Sequence, residues 1–227
     1  MGRITARKQI VRIVVGESRT SREDVLAAEE PLEIRVGGSA LSVTMRTPGH
    51  DFDLAAGFLV SEGVISSAEQ LGAIRYCADG AAAGENTFNV LDVTLSPGVS
   101  LPDPSIERNF YMTSSCGLCG KASIDAVRTL STHPVADDPV AVSDAFLVDL
   151  PDRLRSGQEV FGMTGGLHAA ALFDAQTGRM LVLREDVGRH NAVDKVIGWA
   201  LKEGLLPLRG TVLMVSGRAS FELVQKA

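Results

Sequence analysis

The sequence predicts an α/β protein, with a layered α/β core in its C-terminal half behind a β-rich N-terminal subdomain. Three observations lead there. From about residue 108 onward, segments of helical spacing alternate with short apolar runs, the order that lays helices on the faces of a sheet. Before that point most periodic segments are strand-like, with a single helical run among them. Between the halves, SPGVSLPDPS carries three prolines in ten residues. Each proline fixes φ and lacks an N–H donor, so this stretch is expected to be irregular. It sets the boundary between residues 1–107 and 108–227.

Taken in order, QIVRIVV reads as a first strand. PLEIRVGGSALSVTMRT reads as two strands joined at Gly37-Gly38, a hairpin dipeptide. HDFDLAAGFLVSEG has helical spacing: Phe52, Ala55, Ala56 and Leu59 share a face, and Gly63 is suited to close the C-terminus. AIRYC and TFNVLDVTLS read as strands joined by ADGAAAGEN, a segment of small residues expected at a loop tip. Past the boundary, Lys121 to Leu130 and Ser143 to Arg155 look helical. HAAALF and RMLVLR read as strands around the turn DAQTG. Asn191 to Glu203 reads as a helix ending at Gly204. GTVLMVS reads as a strongly buried strand, and Ser220 as the cap of a last helix. That helix stops within about two turns, where isolated helices are marginal, so the chain is expected to be cut short at Ala227.

Composition narrows the class. A chain of 227 residues, 45% apolar and 22% charged, resembles an ordinary globular protein. At this length roughly 70% of the unfolded surface is buried on folding, so stability needs neither disulfide nor metal. The net charge of −6 comes without a block of like charges, which argues against broad nucleic-acid binding. The run from Ile10 to Val15 is interrupted by Arg12 and lacks a small-residue cleavage pattern, so it reads as a strand and not an export signal. No run approaches the roughly 18 apolar residues of a membrane span. A cytoplasmic protein that neither binds nucleic acid nor enters a membrane is expected. The three cysteines, Cys77, Cys116 and Cys119, do not suggest a disulfide framework, being odd in number without an export signal.

Four segments carry the residue types that do chemistry. In Ser114-Ser115-Cys116-Gly117-Leu118-Cys119-Gly120-Lys121 a cysteine pair precedes an expected helix, with a lysine adjacent. Both features lower a thiol pKa and favour the nucleophilic thiolate. Gly117 and Gly120 free the loop sterically, which suits a carrier that accepts a group from one partner and presents it to another. Half of a zinc site, a redox pair and two inert buried thiols are the competing readings. A zinc site needs two more ligands, which Cys77 with one of His50, His133, His168 or His190 could supply. In Thr164-Gly165-Gly166-Leu167-His168, adjacent glycines let backbone N–H groups approach a ligand oxygen. The H-x-E of a zinc deaminase is absent, because Ala170 stands where the glutamate would be, so no metal is expected. In Glu185-Asp186-Val187-Gly188-Arg189-His190-Asn191-Ala192-Val193-Asp194-Lys195, acid, base, imidazole and amide groups crowd a strand-to-helix turn, where N–H groups and Arg189 suit a phosphate. In Ser216-Gly217-Arg218-Ala219-Ser220 a second cation follows a strand end, where α/β sheets collect ligands. The last three turns are expected to converge on one phosphate-bearing ligand. Gly165, Gly166, His168, Asp186, Arg189, His190, Asn191, Ser216, Arg218 and Ser220 would bind it.

The segments EEPLEIRV, MRTPGHDFDLAAGFLVSEGVI, MTSSCGLCGKASID, FGMTGGLHAA, REDVGRHNAVDKVIG and SGRASFELVQKA together resemble the formate dehydrogenase accessory sulfurtransferases, the FdhD/NarQ family. The likeness covers nearly the whole chain. It implies a cytidine-deaminase-like three-layer α/β core and a homodimer. It implies a sulfurtransferase that takes sulfur from a cysteine desulfurase as a persulfide on Cys116, with Cys119 as second catalytic cysteine. The sulfur would pass to the molybdenum bis-molybdopterin guanine dinucleotide cofactor, bound as substrate, before that cofactor enters formate dehydrogenase. The three converging turns would bind its guanine nucleotide end, with Asp186 as a candidate acceptor for the base, and GDP would mimic part of it. Family chains usually continue beyond the point matching Ala227, which would weaken the cofactor site here. The rival reading is a chaperone that binds the cofactor without sulfur chemistry of its own.

Overall fold

The computed structural model describes residues 3–77, 88–101 and 132–227. The ADGAAAGEN joining segment, the end of the proline-rich boundary, the helix expected over 121–130, Cys116 and Cys119 lie outside them.

The N-terminal half holds two sheets. Strands β1 (Thr5–Val14) and β2 (Ser18–Ala27) form an antiparallel ribbon, in register from Thr5↔Ala27 to Val14↔Ser18. The sequence reading found β1 only; β2, SRTSREDVLA, is too polar to show an apolar alternation. Next, β3 (Glu30–Val36) and β4 (Ser39–Arg46) make the hairpin expected at Gly37-Gly38, both glycines at positive φ. After helix α1 (Asp51–Ser61) the chain adds β5 (Leu71–Tyr76) and β6 (Val90–Leu95). The sheet order is β4-β3-β6-β5, with β3 and β6 parallel. Alternation sets its faces: Leu32, Ile34 and Val36 of β3 and Leu91 and Val93 of β6 turn inward onto Leu54, Ala55, Ala56 and Leu59 of α1. The expected face of α1 holds except at Phe52, which is 38% exposed and leans on the Tyr76 ring, centroids 5.2 Å apart.

The C-terminal half is a three-layer α/β sandwich. Helix α2 (Asp144–Gly157) is capped by Ser143 Oγ, which accepts from the Phe146 N–H, and a short α3 (Glu159–Thr164) follows. Then come β7 (His168–Asp174), β8 (Met180–Asp186), α4 (Arg189–Lys202), β9 (Thr211–Val215) and α5 (Phe221–Lys226). The sheet order β8-β7-β9 puts β7 in the centre, and β7 is apolar and buried from Ala169 to Phe173 because both faces are covered. Ala169, Ala171 and Phe173 meet Leu150 and Leu154 of α2 on one face. On the other, Ala170 and Leu172 meet Ala192, Val193 and Val196 of α4. GTVLMVS was expected to be strongly buried; as β9 it pairs only with β7 among the described residues, and each of its residues keeps partial exposure.

The halves interlock through α1 and α4. A Cβ added at Gly57 would lie 1.8 Å from the Asp194 carbonyl oxygen, and one at Gly198 would lie 1.9 Å from that of Asp53. Glycine weakens a helix interior by about 1 kcal/mol relative to alanine; here it permits two backbones to touch. The structure is therefore a mixed α/β fold whose four-stranded and three-stranded sheets share a central pair of crossing helices.

Candidate functional site

Beside that crossing, a cavity of about 320 Å³ opens between the N-terminal sheet and the start of α4. Ile34, Ser42 and Thr44 line it from the sheet, Leu54, Phe58 and Ser61 from α1, and Glu222, Gln225 and Lys226 from α5. The fourth wall is His168 with the turn Val187-Gly188-Arg189-His190-Asn191. A cavity of this size suits a base or a small ligand.

That turn is fixed from behind by a buried polar network. Asp186 is 0% exposed and forms an ion pair at 2.6 Å with Lys195 Nζ, itself 1% exposed. Asp186 Oδ1 also accepts from the Gly188 N–H at 2.8 Å and from Asn191 Nδ2 at 3.0 Å, and Oδ2 accepts from the Thr47 N–H at 3.2 Å. Burial pushes the Asp186 carboxyl up, while Lys195 and the donated hydrogen bonds pull it down. Asn191 further donates to the Met45 carbonyl at 2.8 Å, and Lys195 donates to the Thr47 carbonyl at 2.9 Å. The network thus ties the α4 N-terminus to the segment after β4. It also corrects the sequence expectation for Asp186. With both oxygens taken by protein donors in a closed interior, Asp186 has no acceptor left for a base, and Asn191 is spent likewise. Their role is to position the turn.

Arg189 differs. Its Nε and Nη2 are buried without a hydrogen-bond partner. The helix begins two residues earlier than expected, so Arg189 and His190 stand in its first turn, where backbone N–H groups lack intrahelical acceptors. Gly217 packs against this arginine: a Cβ there would lie 3.3 Å from Arg189 Cβ and Cδ and 3.4 Å from His168 Nδ1. A side chain at Gly217 would crowd both. A guanidinium with unpartnered nitrogens at a helix N-terminus is an arrangement suited to an anion.

His190 lies deeper against α5. Its Nε2 is 3.5 Å from Ser220 Oγ and 4.0 Å from Glu222 Oε2. Burial and the nearby Arg189 lower its pKa to about 4, so the ring is neutral near pH 7. Ser220 caps α5 as expected, accepting from the Leu223 N–H at 3.4 Å.

The expected convergence of three turns is partial. His168, Arg189, His190 and Asn191 line the cavity, and Gly217 and Ser220 back it. Gly165 and Gly166 are exposed and lie outside the lining; Gly165 ends α3 in the left-handed conformation, φ 69°, so it serves a turn. Ser216 Oγ accepts from the Ala169 N–H at 2.8 Å, locking β9 to β7. Arg218 is exposed and does not line the cavity. Asp194 of α4, within the crowded segment already singled out, lines it too; missing from the sequence reading were Glu222 and Lys226 of α5, which also line it. The available sign was their i, i+4 spacing on a short capped helix, which also fits a solvated face. Among the described residues no group of three or more His, Cys, Asp or Glu could hold a metal, and no helix is long and apolar enough to cross a membrane.

Comparison with known proteins agrees with the fold. The chain is similar to the sulfur carrier protein FdhD of Streptomyces coelicolor, 60% identical over 228 residues, covering 100% of this chain and 80% of that protein. The sulfur carrier protein FdhD of Mycolicibacterium paratuberculosis is 59% identical over 223 residues, covering 98% and 81%. Among solved structures, a formate dehydrogenase accessory protein from Desulfotalea psychrophila superposes with a TM-score of 0.73 at 24% identity, covering 99% of this chain and 79% of that one. Residues 27–227 match the FdhD/NarQ family, and with relatives at this identity the chain belongs to that family.

Proposed function

We propose that this chain is a sulfur carrier that accepts sulfur from a cysteine desulfurase as a persulfide on Cys116 and delivers it to a molybdenum bis-molybdopterin guanine dinucleotide cofactor destined for formate dehydrogenase. The names of its relatives support the carrier role. The single observation supporting a nucleotide-bearing substrate is Arg189, which lines the cavity at a helix N-terminus and whose Nε and Nη2 have no hydrogen-bond partner. The cofactor is the substrate. Its phosphates fit Arg189 and the first N–H groups of α4, and the Asp186–Lys195 network holds those groups in place.

In the carrier step the Cys116 thiolate attacks the outer sulfur of the donor's persulfide. A new S–S bond forms on Cys116 and the donor cysteine leaves as a thiolate. On delivery the terminal sulfur passes at the sulfane level to the reduced substrate, which supplies the electron pair of the new bond and is oxidised by two electrons, and Cys116 leaves as a thiolate. Cys119, three residues on, serves as the second cysteine, and the protein works as a homodimer in the cytoplasm.

Intact-protein mass after incubation with a desulfurase and cysteine tests this. The parent is expected to gain about 32 Da per loaded thiol, one sulfur atom. Cys116→Ala is expected to gain none, and Cys119→Ala to load less. Normal loading of Cys116→Ala would sink the assignment. A parent that binds nucleotide yet never gains sulfur would favour a cofactor-binding chaperone instead.

A further inference from the structure

Two surfaces far from the cavity expose large aliphatic side chains among charges of opposite sign. The first is the ribbon β1–β2. A two-stranded ribbon by itself is at best marginally stable in water, and this one has no third strand and packs chiefly where β2 meets α3. Alternation and register bring Val11, Ile13 and Arg19 to one face, with Val11 50% and Ile13 63% exposed. Residues 3–27 hold six cations against three acids, in a chain whose net charge is −6. Arg7 and Arg22 pair with Glu23 and Asp24 inside the ribbon. Arg12 and Arg19, nearer the tip, have no acid partner among the described residues. The second surface is the outer side of α2, whose inner side turns Leu150 and Leu154 onto the sheet. Asp144, Val148 and Asp152 follow one another there at i, i+4 and i+8, with Leu147 beside Val148. Val148 is 78% and Leu147 46% exposed, where a helix ordinarily shows polar groups. Residues 135–152 hold five aspartates and no lysine or arginine.

We infer that each ribbon packs on the outer side of α2 in a second copy of this chain, so that two copies exchange arms about a two-fold axis. Val11 and Ile13 meet Leu147 and Val148, and Arg12 and Arg19 reach Asp144 and Asp152. This rests on the homodimer proposed above and names the surfaces that form it. Charge selects the occupant: a cationic apolar ribbon and an acidic apolar helix face are complementary, and one chain carries both. Both are exposed in the same chain, so the ribbon does not cover its own α2. A two-fold operation makes the contact twice. Over the length of α2 the two contacts bury on the order of 1,000 Å² in total, enough for a specific interface. The family match begins at residue 27, after nearly all of the ribbon, so the arm lies ahead of the part that carries the family's motifs.

The test follows the oligomeric state of the full chain by sedimentation velocity. The parent is expected to dimerise. Arg12→Glu with Arg19→Glu, and separately Asp144→Arg with Asp152→Arg, set like charges against each other. Each pair is expected to weaken the dimer at least about tenfold. All four positions are exposed, so the variants should keep the parent's denaturation midpoint. Mixed in equal amounts, the two variants are expected to form a heterodimer, because every ribbon then faces an opposite charge. Val148→Ser leaves all charges in place and is expected to weaken the dimer at least about fivefold. Reversals that leave the dimer intact overturn the inference. So does a mixture of the two folded variants that stays monomeric, which would place the contact within one chain. An unchanged dimer in Val148→Ser also overturns it, and decides the matter if a reversal fails to fold. Sulfur loading on Cys116 is read separately by mass. A parent that loads sulfur as a monomer overturns the arm exchange and leaves the carrier role standing.

Discussion

The two ends of the β8–α4 turn treat charge in opposite ways. At Asp186 the carboxylate, Lys195, Asn191 and the Gly188 and Thr47 N–H groups form a closed set in which the carboxylate oxygens are all engaged. Three residues later Arg189 has two buried nitrogens without a partner, and across the cavity Glu222 has one such oxygen. Both regions remove charge from water. The first recovers the desolvation within the fold, the second does not. The comparison teaches that position in the cavity wall, and not residue type, separates a structural charge from one kept for a ligand.

Breaking the closed region should have the largest effect. Lys195→Met leaves Asp186 buried without its cation, a change that typically costs about 3–5 kcal/mol. Chemical denaturation is expected to show that loss, or the variant should not fold. A change below about 1 kcal/mol would mean that Asp186 is not the closed, charged group described.

An intermediate effect comes through pH. His190 keeps a folded pKa of about 4 against an ordinary 6.5. Between those values the unfolded chain binds the proton more readily, so stability falls as the pH drops from about 6.5 toward 4. Burial shifts His50 in the same direction. The pH dependence of the denaturation midpoint should be shallower over this window in His190→Gln than in the parent. Identical slopes would show that His190 is not held neutral by the cavity.

The smallest effect on stability is expected at the open end. Arg189→Met removes a guanidinium whose desolvation nothing in the fold offsets, so the denaturation midpoint should stay within about 0.5 kcal/mol of the parent or rise. Diphosphate binding should nevertheless be lost. A destabilisation like that of Lys195→Met would erase the contrast between the two regions.

Much of this was legible in the chain. The hairpin at Gly37-Gly38, the strand HAAALF, the cap at Ser220 and the crowded segment at 185–195 follow from alternation, turn chemistry and capping, which act over a few residues. The family resemblance was legible in the same way, since its motifs are local strings. What escaped depended on distant partners. The sequence EDVGRHN gives Asp186, Arg189 and Asn191 equal claims on a ligand. Only the packing of α4 against the segment after β4 satisfies Asp186 and Asn191 and leaves Arg189 open. Strand β2 escaped because its ribbon has little core to face, so no hydrophobic period marks it. Glu222 escaped because an acid in the first turn of a short helix ordinarily complements the helix dipole. Its meaning came from α5 folding back onto the cavity, some thirty residues from His190. Local pattern determined the elements and their order. Burial, which depends on which surfaces meet, decided which polar groups serve the fold and which are left to chemistry.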